Sequence, residues 1–306
     1  MRGCQMDSYL SDLVPIIIVG LSLGSLFGLV GLAYTVIINA TQLVNFGQGD
    51  FAMVGVAVCW ALISKLGLPL WVAFPLAVVA GGAMGFITNA IIVTPLLKKD
   101  VHPFYPILGT MSVGTIAAGA VGIFTGFYWM PIDHFLGNEP LKVGGIPMDT
   151  QGLLIIGTTV AIVTAYWYLL HKTRLGLALR ATGFNREVSL LAGIRVGKMA
   201  SLSFVISGMI AAIAGVLCAP FSAFTATDGL ILGINGFIAL IVGGWGNPYA
   251  AVLGGILVGM IRALIVGYVS SAHAELATFV VLMVVLTIKP QGLFAGFMMP
   301  KTMNTR

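Results

Sequence analysis

The sequence predicts an all-α protein, a polytopic membrane helix bundle of about nine spans, and three observations carry that prediction. Of the 306 residues, 58% are hydrophobic and only 8% charged, where a soluble domain carries roughly 25% charged residues. Apolar runs approaching the ~20 residues that a membrane helix needs recur along the chain, separated by Pro, Gly and charge. The Lys and Arg residues also fall on one side of an alternating count of crossings. This composition excludes most soluble enzymes, and the net charge of +5 marks topology rather than a nucleic-acid partner. Cys4, Cys59 and Cys218 lie far apart without CxxC spacing, so neither a disulfide framework nor a metal site is expected.

The first run, 13–38, is too long for a signal-peptide core. Arg2 is balanced by Asp7 and Asp12, and no convincing cleavage site follows, so it reads as a permanent span. The other runs are 51–64, 69–97, 104–130, 152–170, 199–223, 230–245, 248–270 and 275–295. Loop 171–198 carries Lys172, Arg174, Arg180, Arg186, Arg195 and Lys198 against Glu187 alone, which assigns it to the cytoplasm. Counting outward from it puts Lys98, Lys99, Lys289, Lys301 and Arg306 inside as well. Outside fall Arg2, Lys65 and Lys142 with Asp7, Asp12, Asp133, Glu139, Asp149, Asp228 and Glu275. Nine crossings then leave the N-terminus periplasmic and the C-terminus cytoplasmic, in a single domain over 1–306.

The run from Pro75 to Gly81-Gly82 resembles the run from Pro248 to Gly254-Gly255, with the same Pro-x5-Gly-Gly spacing. The two lie on the third and eighth crossings and so point in opposite directions. That is the pattern of inverted-topology repeats, which build a central pathway in many transporters. The expected division is a first repeat over about 13–130, a cytoplasmic loop over about 171–198 and a second repeat over about 199–295. Gly20, Gly24 and Gly28 mark one helix face for close packing.

Little in the chain suggests covalent or ion-driven chemistry. No HExxH, GxSxG or metal-ligand spacing occurs, and His102, His134, His171 and His273 fall in loops or at span ends. The segment from Gly193 to Gly197-Lys198 lacks the spacer and the Ser/Thr of a P-loop, so any ATP must be hydrolysed by another subunit. In loop 171–198, Asn185 is a competent N-cap, Arg186 to Ala192 suit one or two helical turns, and Gly193 stands where a helix ends in the left-handed conformation. Taken alone, this loop is either a docking element or a helix held by anionic lipid. Between the first two runs, Asn45-Phe46-Gly47-Gln48-Gly49-Asp50 inserts polar groups and glycines. Here the readings are a broken helix lining a pathway or an ordinary inner loop with an N-cap.

The stretch from Asn45 to Gly55 resembles the Asn-Phe-Ala-x-Gly-Glu-Phe-x-x-x-Gly signature of the permease subunits of branched-chain amino acid ABC importers. Leu175-Gly176-Leu177-Ala178-Leu179-Arg180-Ala181 and Leu191-Ala192-Gly193-Ile194 resemble that family's cytoplasmic coupling loop. Ala211 to Leu217, Gly243-Gly244-Trp245-Gly246, Gly254 to Gly259 and Lys289 to Phe294 extend the match nearly end to end, and it is the H-type permease that the chain resembles. The resemblance implies an ABC importer permease fold in a bacterial inner membrane and a non-catalytic chain. It also implies a second permease (M-type or identical), two cytoplasmic ATPases that bind the ATP, and a periplasmic solute-binding protein. No cofactor, metal or nucleic acid is expected. By resemblance, Gly176, Arg180, Arg186, Glu187, Leu190, Leu191 and Gly193 belong to the ATPase-coupling loop, whereas Asn45, Gln48, Gly49, Asp50 and Arg262 are candidates for the pathway or the broken helix. Gly47 and Asp50 stand where Ala and Glu are commoner. Arg262 replaces a more frequent acidic residue, and either snorkels outward along its span or faces the pathway and attracts a solute carboxylate. The solute expected is a branched-chain or related amino acid; urea, short amides, or action as a stand-alone secondary transporter are the alternatives.

Overall fold

In a computed structural model of the chain, residues 2–99, 102, 104–137, 141–143 and 146–296 are described. Glu139, Lys301 and Arg306, used above for topology, lie outside them. The helices are α1 (Arg2–Thr41), α2 (Gln48–Ser64), α3 (Leu70–Thr88), α4 (Thr94–Lys98), α5 (Phe104–Thr125), α6 (Thr150–Lys172), α7 (Arg174–Phe184), α8 (Arg186–Leu191), α9 (Val196–Cys218), α10 (Asp228–Gly243), α11 (Pro248–Tyr268) and α12 (Ala274–Ile288). A π-helical turn, Asn89–Val93, joins α3 to α4, and 3₁₀ turns follow α9 and precede α12.

Among the described residues, seven helices are long and apolar enough to cross a membrane, and two shorter apolar helices, α2 and α10, accompany them. These nine segments match the nine predicted runs, with shifted ends. The first helix extends beyond 13–38 at both ends, and the run predicted over 104–130 stops at Thr125. There Gly126 and Phe127 take positive φ values of 68° and 58° and turn the chain. α2 begins at Gln48, which places Asp50 in its first turn rather than before it. The bundle is all-α as expected; in the segment between α5 and α6, β1 (Leu141–Val143) and β2 (Ile146–Met148) form a short antiparallel hairpin with Leu141 opposite Met148. Helix starts follow local capping chemistry. Asp149 accepts the Gln151 N–H at the head of α6, and Asn247 accepts from Tyr249 and Ala250 ahead of Pro248 at the first turn of α11.

The pattern long helix, break, short helix, long helix occurs twice, as α1-α2-α3 and α9-α10-α11. The packing repeats as well. α1 lies against α11 and α9 against α3, both through glycine. A Cβ added to Gly24 would come within 2.6 Å of Ile256 Cα, and one added to Gly81 within 2.6 Å of the Gly208 carbonyl. In lipid, where no hydrophobic force drives helices together, such backbone approach supplies the dispersion contact. Gly255 and Gly259 meet Gly28 and Gly24, while Gly81 and Gly85 meet Gly208 and Phe204. These contacts correct the alignment read from the sequence by one residue: Gly81 corresponds to Gly255, not Gly254. The core lies on α1, α2, α9, α10 and the inner face of α11.

Candidate pathway break and cytoplasmic docking loop

After Thr41 the chain leaves helical geometry at Gln42, whose φ is 58°, and α2 starts six residues later. Gln42 and Phe46 of the loop between them are exposed, whereas Leu43, Asn45 and Gly47 are buried, with Asn45 and Gln48 fully shielded; buried backbone of this kind is tolerated at membrane depth only when its polar groups find partners. They do. Asn45 Oδ1 accepts the Gly47 N–H at 3.1 Å, and Asn45 Nδ2 donates to Gln48 Oε1 at 3.1 Å. Gln48 Nε2 donates to the Ser207 carbonyl of α9 at 3.1 Å. Ser207 Oγ lies 3.0 Å from Gln48 Oε1 and 2.7 Å from the Ala33 carbonyl of α1. One hydroxyl thus joins α1, the head of α2 and α9.

The second break, before α10, is built on the same plan. Thr225, 180 residues after Asn45, donates its N–H and its hydroxyl to Asp228 Oδ2 at 2.6 and 2.7 Å, as Asn45 binds Gln48 three residues on. The heads of the two short helices meet. Gly49 has no room for a Cβ because the Gly229 carbonyl occupies that space, and a Cβ on Gly229 would lie 2.9 Å from the Gly49 carbonyl. Asp50, 8% exposed, sits against Gly114 of α5: a Cβ there would lie 3.0 Å from the Asp50 carboxyl carbon. Among the described residues the Asp50 side chain has no hydrogen bond or ion pair. An ionisable side chain held among apolar helices without a partner is a candidate functional position.

Asn45, Gln48, Gly49 and Asp50 therefore come together, but Arg262 does not join them. It lies on α11, and instead of running along its own helix the side chain crosses to α10. Nη1 is 3.5 Å from Asn235 Oδ1, and the guanidinium carbon stands 5.8 Å from the Phe27 ring centre.

Loop 171–198 has the predicted cap and stop, together with a helix that sequence reasoning missed. α7 is capped by Thr173, whose hydroxyl accepts the Gly176 N–H at 3.0 Å. Gly176 and Gly183 leave no room for a side chain against the Leu169 and Asn39 carbonyls, so α7 is pressed onto the ends of α6 and α1. Asn185 Oδ1 caps α8 through the Val188 N–H at 3.0 Å. At the far end Gly193, φ 78°, donates to the Leu190 carbonyl, and Ile194 donates to the Ser189 carbonyl, the paired bonds of a Schellman stop. The turn holds Leu190 and Leu191 outward at 56% and 89% exposure. Arg180, Arg186 and Glu187 are exposed beside them.

Sequence reasoning also missed Ser207, Gly229 and Asn235. Gly229 carried a signal, its spacing from Gly49, and Asn235 is the lone amide in the apolar run 230–245.

Comparison with known proteins places this geometry. A family model described as the permease component of branched-chain amino acid transport systems matches residues 16–288. The probable branched-chain amino acid transport permease protein LivH of Methanocaldococcus jannaschii is 28% identical, with 88% of each chain covered. The high-affinity branched-chain amino acid transport system permease protein LivH of Escherichia coli is 25% identical, over 90% of this chain and 92% of that one. The ribose import permease protein RbsC of Haemophilus influenzae is 26% identical over 79% of this chain and 72% of its own. Among solved structures, PsaBC from Streptococcus pneumoniae in complex with Fab matches with a TM-score of 0.51 at 16% identity. It covers 95% of this chain and 97% of that one, which supports the fold.

Proposed function

We infer that this chain, which belongs to the family of permease components of branched-chain amino acid transport systems, is the membrane-embedded subunit of an ABC importer for branched-chain or related amino acids. The observation that carries the reading is α8. A short capped helix in a basic loop that buries only Ser189 and leaves Leu190 and Leu191 uncovered suits insertion into a cleft of a cytoplasmic ATPase. Arg180, Arg186, Glu187, Leu190 and Leu191 would make that contact, while Gly176 and Gly193 set its geometry.

A second permease (M-type or identical), two ATPases and a periplasmic binding protein complete the assembly, with ATP bound only by the ATPases. The positive loop 171–198 then faces the cytoplasm, the N-terminus the periplasm and the C-terminus the cytoplasm, in a bacterial inner membrane. The two helix-break-helix units form inverted repeats about the contact of Gly49 with Gly229, with α2 and α10 breaking from opposite faces. ATP-driven closure of the ATPases displaces α8 and α7, and α7 bears on the end of α1, which leads into the first break. The chain converts that displacement into alternating access of the pathway and carries out no covalent step.

Reconstitution tests this. The permease alone in proteoliposomes is expected to be inert, and together with its ATPases and binding protein it accumulates leucine when ATP is supplied. Uphill uptake by the permease alone would refute the reading in favour of a stand-alone secondary transporter. ATP-driven uptake of urea, a short amide or a sugar in place of leucine would move the solute class.

A further inference from the structure

We propose that Arg262 and Glu275, arranged around Asn235, form a subsite for the zwitterionic head of an α-amino acid at the α10–α12 groove; this rests on the reading above that the chain carries amino acids. A cavity of about 70 Å³ opens there, lined by Ile231, Ile234 and Asn235 of α10 and by Glu275, Thr278 and Phe279 of α12. A water molecule's share of the liquid is about 30 Å³, so the space holds a head group of a few heavy atoms and not a whole amino acid.

Glu275 lines the cavity, Arg262 stands behind its lining residue Asn235, and these two opposite charges form no ion pair with each other. Arg262 reaches Asn235 Oδ1 through Nη1, which leaves most of the five guanidinium donors free. Among the described residues Glu275 has no hydrogen bond or ion pair. Asn235 is 6% exposed, and its Nδ2 donates to the Ile231 carbonyl at 2.9 Å. That bond turns Oδ1 toward Arg262, so the amide orients the guanidinium and is itself a positioning residue.

An α-carboxylate suits the guanidinium fork, and an α-ammonium suits the Glu275 carboxylate. The side chain of such a solute would lie on Ile231, Ile234 and Phe279, which are 43%, 38% and 50% exposed. Uncharged amides and sugars would leave both charges unmatched, and a site built for polar groups discriminates strongly against solutes that lack them.

The test uses the permease–ATPase complex in nanodiscs, with saturation-transfer NMR of leucine, 4-methylpentanoate and 3-methylbutylamine. Arg262→Gln and Glu275→Gln are each expected to weaken the leucine signal at least tenfold. Arg262→Gln also removes 4-methylpentanoate and spares 3-methylbutylamine, and Glu275→Gln does the reverse. Equal loss of all three probes in a variant would mean a structural role only, and unchanged leucine signals would mean no role; either outcome overturns the subsite. In proteoliposomes holding the complete importer, each variant is expected to lower maximal leucine uptake at least tenfold. Normal uptake in both variants sinks this proposal alone, whereas a wild-type importer that carries a sugar or an amide and no leucine sinks the proposed function as well.

Discussion

Gly49 and Gly229 lie backbone to backbone where the heads of α2 and α10 meet, each filling the space in which the other would carry a side chain. They occur 180 residues apart in two segments of the same plan, so the two breaks in the bundle share one contact. Any change at that contact acts on both short helices together.

A methyl group at Gly49 is therefore expected to destabilise the permease by about 1–3 kcal/mol, the usual cost of overpacking, and Gly49→Val by more. Gly229→Ala brings a methyl within 2.8 Å of Met53 Cβ and is expected to act in the same direction. Gly119→Ala on α5 is the control, because nothing lies within 4 Å of its added Cβ; it is expected to be neutral or mildly stabilising. Thermal unfolding in detergent distinguishes them. Equal melting of Gly49→Ala and Gly119→Ala would show that α2 and α10 do not meet in this way.

Gln48 and Ser207 give a second prediction, since their side chains bond directly across α2 and α9. Ser207→Ala strands part of the Gln48 carboxamide, and the Gln48→Leu, Ser207→Ala pair removes the interaction altogether. Interhelical hydrogen bonds in membranes couple by ~0.6 kcal/mol on average, with a maximum near 1.7. A double-mutant cycle on unfolding free energy should return a favourable coupling of about 0.5–2 kcal/mol. Strict additivity of the two changes would mean that the bond is absent in the membrane.

How far the sequence reveals this arrangement depends on how local the cause is. The cap at Asn185 and the stop at Gly193 are legible because both act over five residues or fewer: a side-chain acceptor for Val188 and a positive φ at the residue after the helix. The break at Asn45–Asp50 is legible as a polar interruption of apolar runs. Its partner Ser207 is not, because a lone serine inside the apolar run 199–223 looks the same whether it bonds its own helix or, as here, the Ala33 carbonyl and Gln48. The repeat is legible as two Pro-x5-Gly-Gly runs, but its register is fixed by glycines that meet across helices, and those align Gly81 with Gly255. Arg262 shows the same limit. Its charge is visible in the sequence, whereas its direction depends on Asn235, a neighbour on another helix.

In loop 171–198, Gly193 separates backbone from side-chain effects. Its φ is 78°, and nothing lies within 4 Å of an added Cβ, so substitution meets conformational strain without a clash. Left-handed geometry costs an ordinary L-residue about 1–2 kcal/mol, whereas Asn tolerates it. Gly193→Val is expected to leave the permease in the membrane while ATP hydrolysis proceeds without uptake; Gly193→Asn should keep most coupled uptake. Arg186→Glu, which reverses an exposed charge beside Leu190, is expected to uncouple as Gly193→Val does. Normal uptake per ATP in Gly193→Val and Arg186→Glu would remove α8 from the coupling role.

Orientation is tested by labelling single introduced cysteines in a background with Cys4, Cys59 and Cys218 replaced by Ser or Ala. Arg195 stands in the loop that precedes α9, on the side assigned to the cytoplasm by its excess of basic residues. Leu136 lies in the segment after α5, on the opposite side, and is 55% exposed. A membrane-impermeant maleimide added to intact spheroplasts should label Leu136→Cys and leave Arg195→Cys untouched until the membrane is opened. The reverse pattern would invert every span, put α8 out of reach of a cytoplasmic ATPase and leave the uncovered Leu190 and Leu191 without the partner proposed for them.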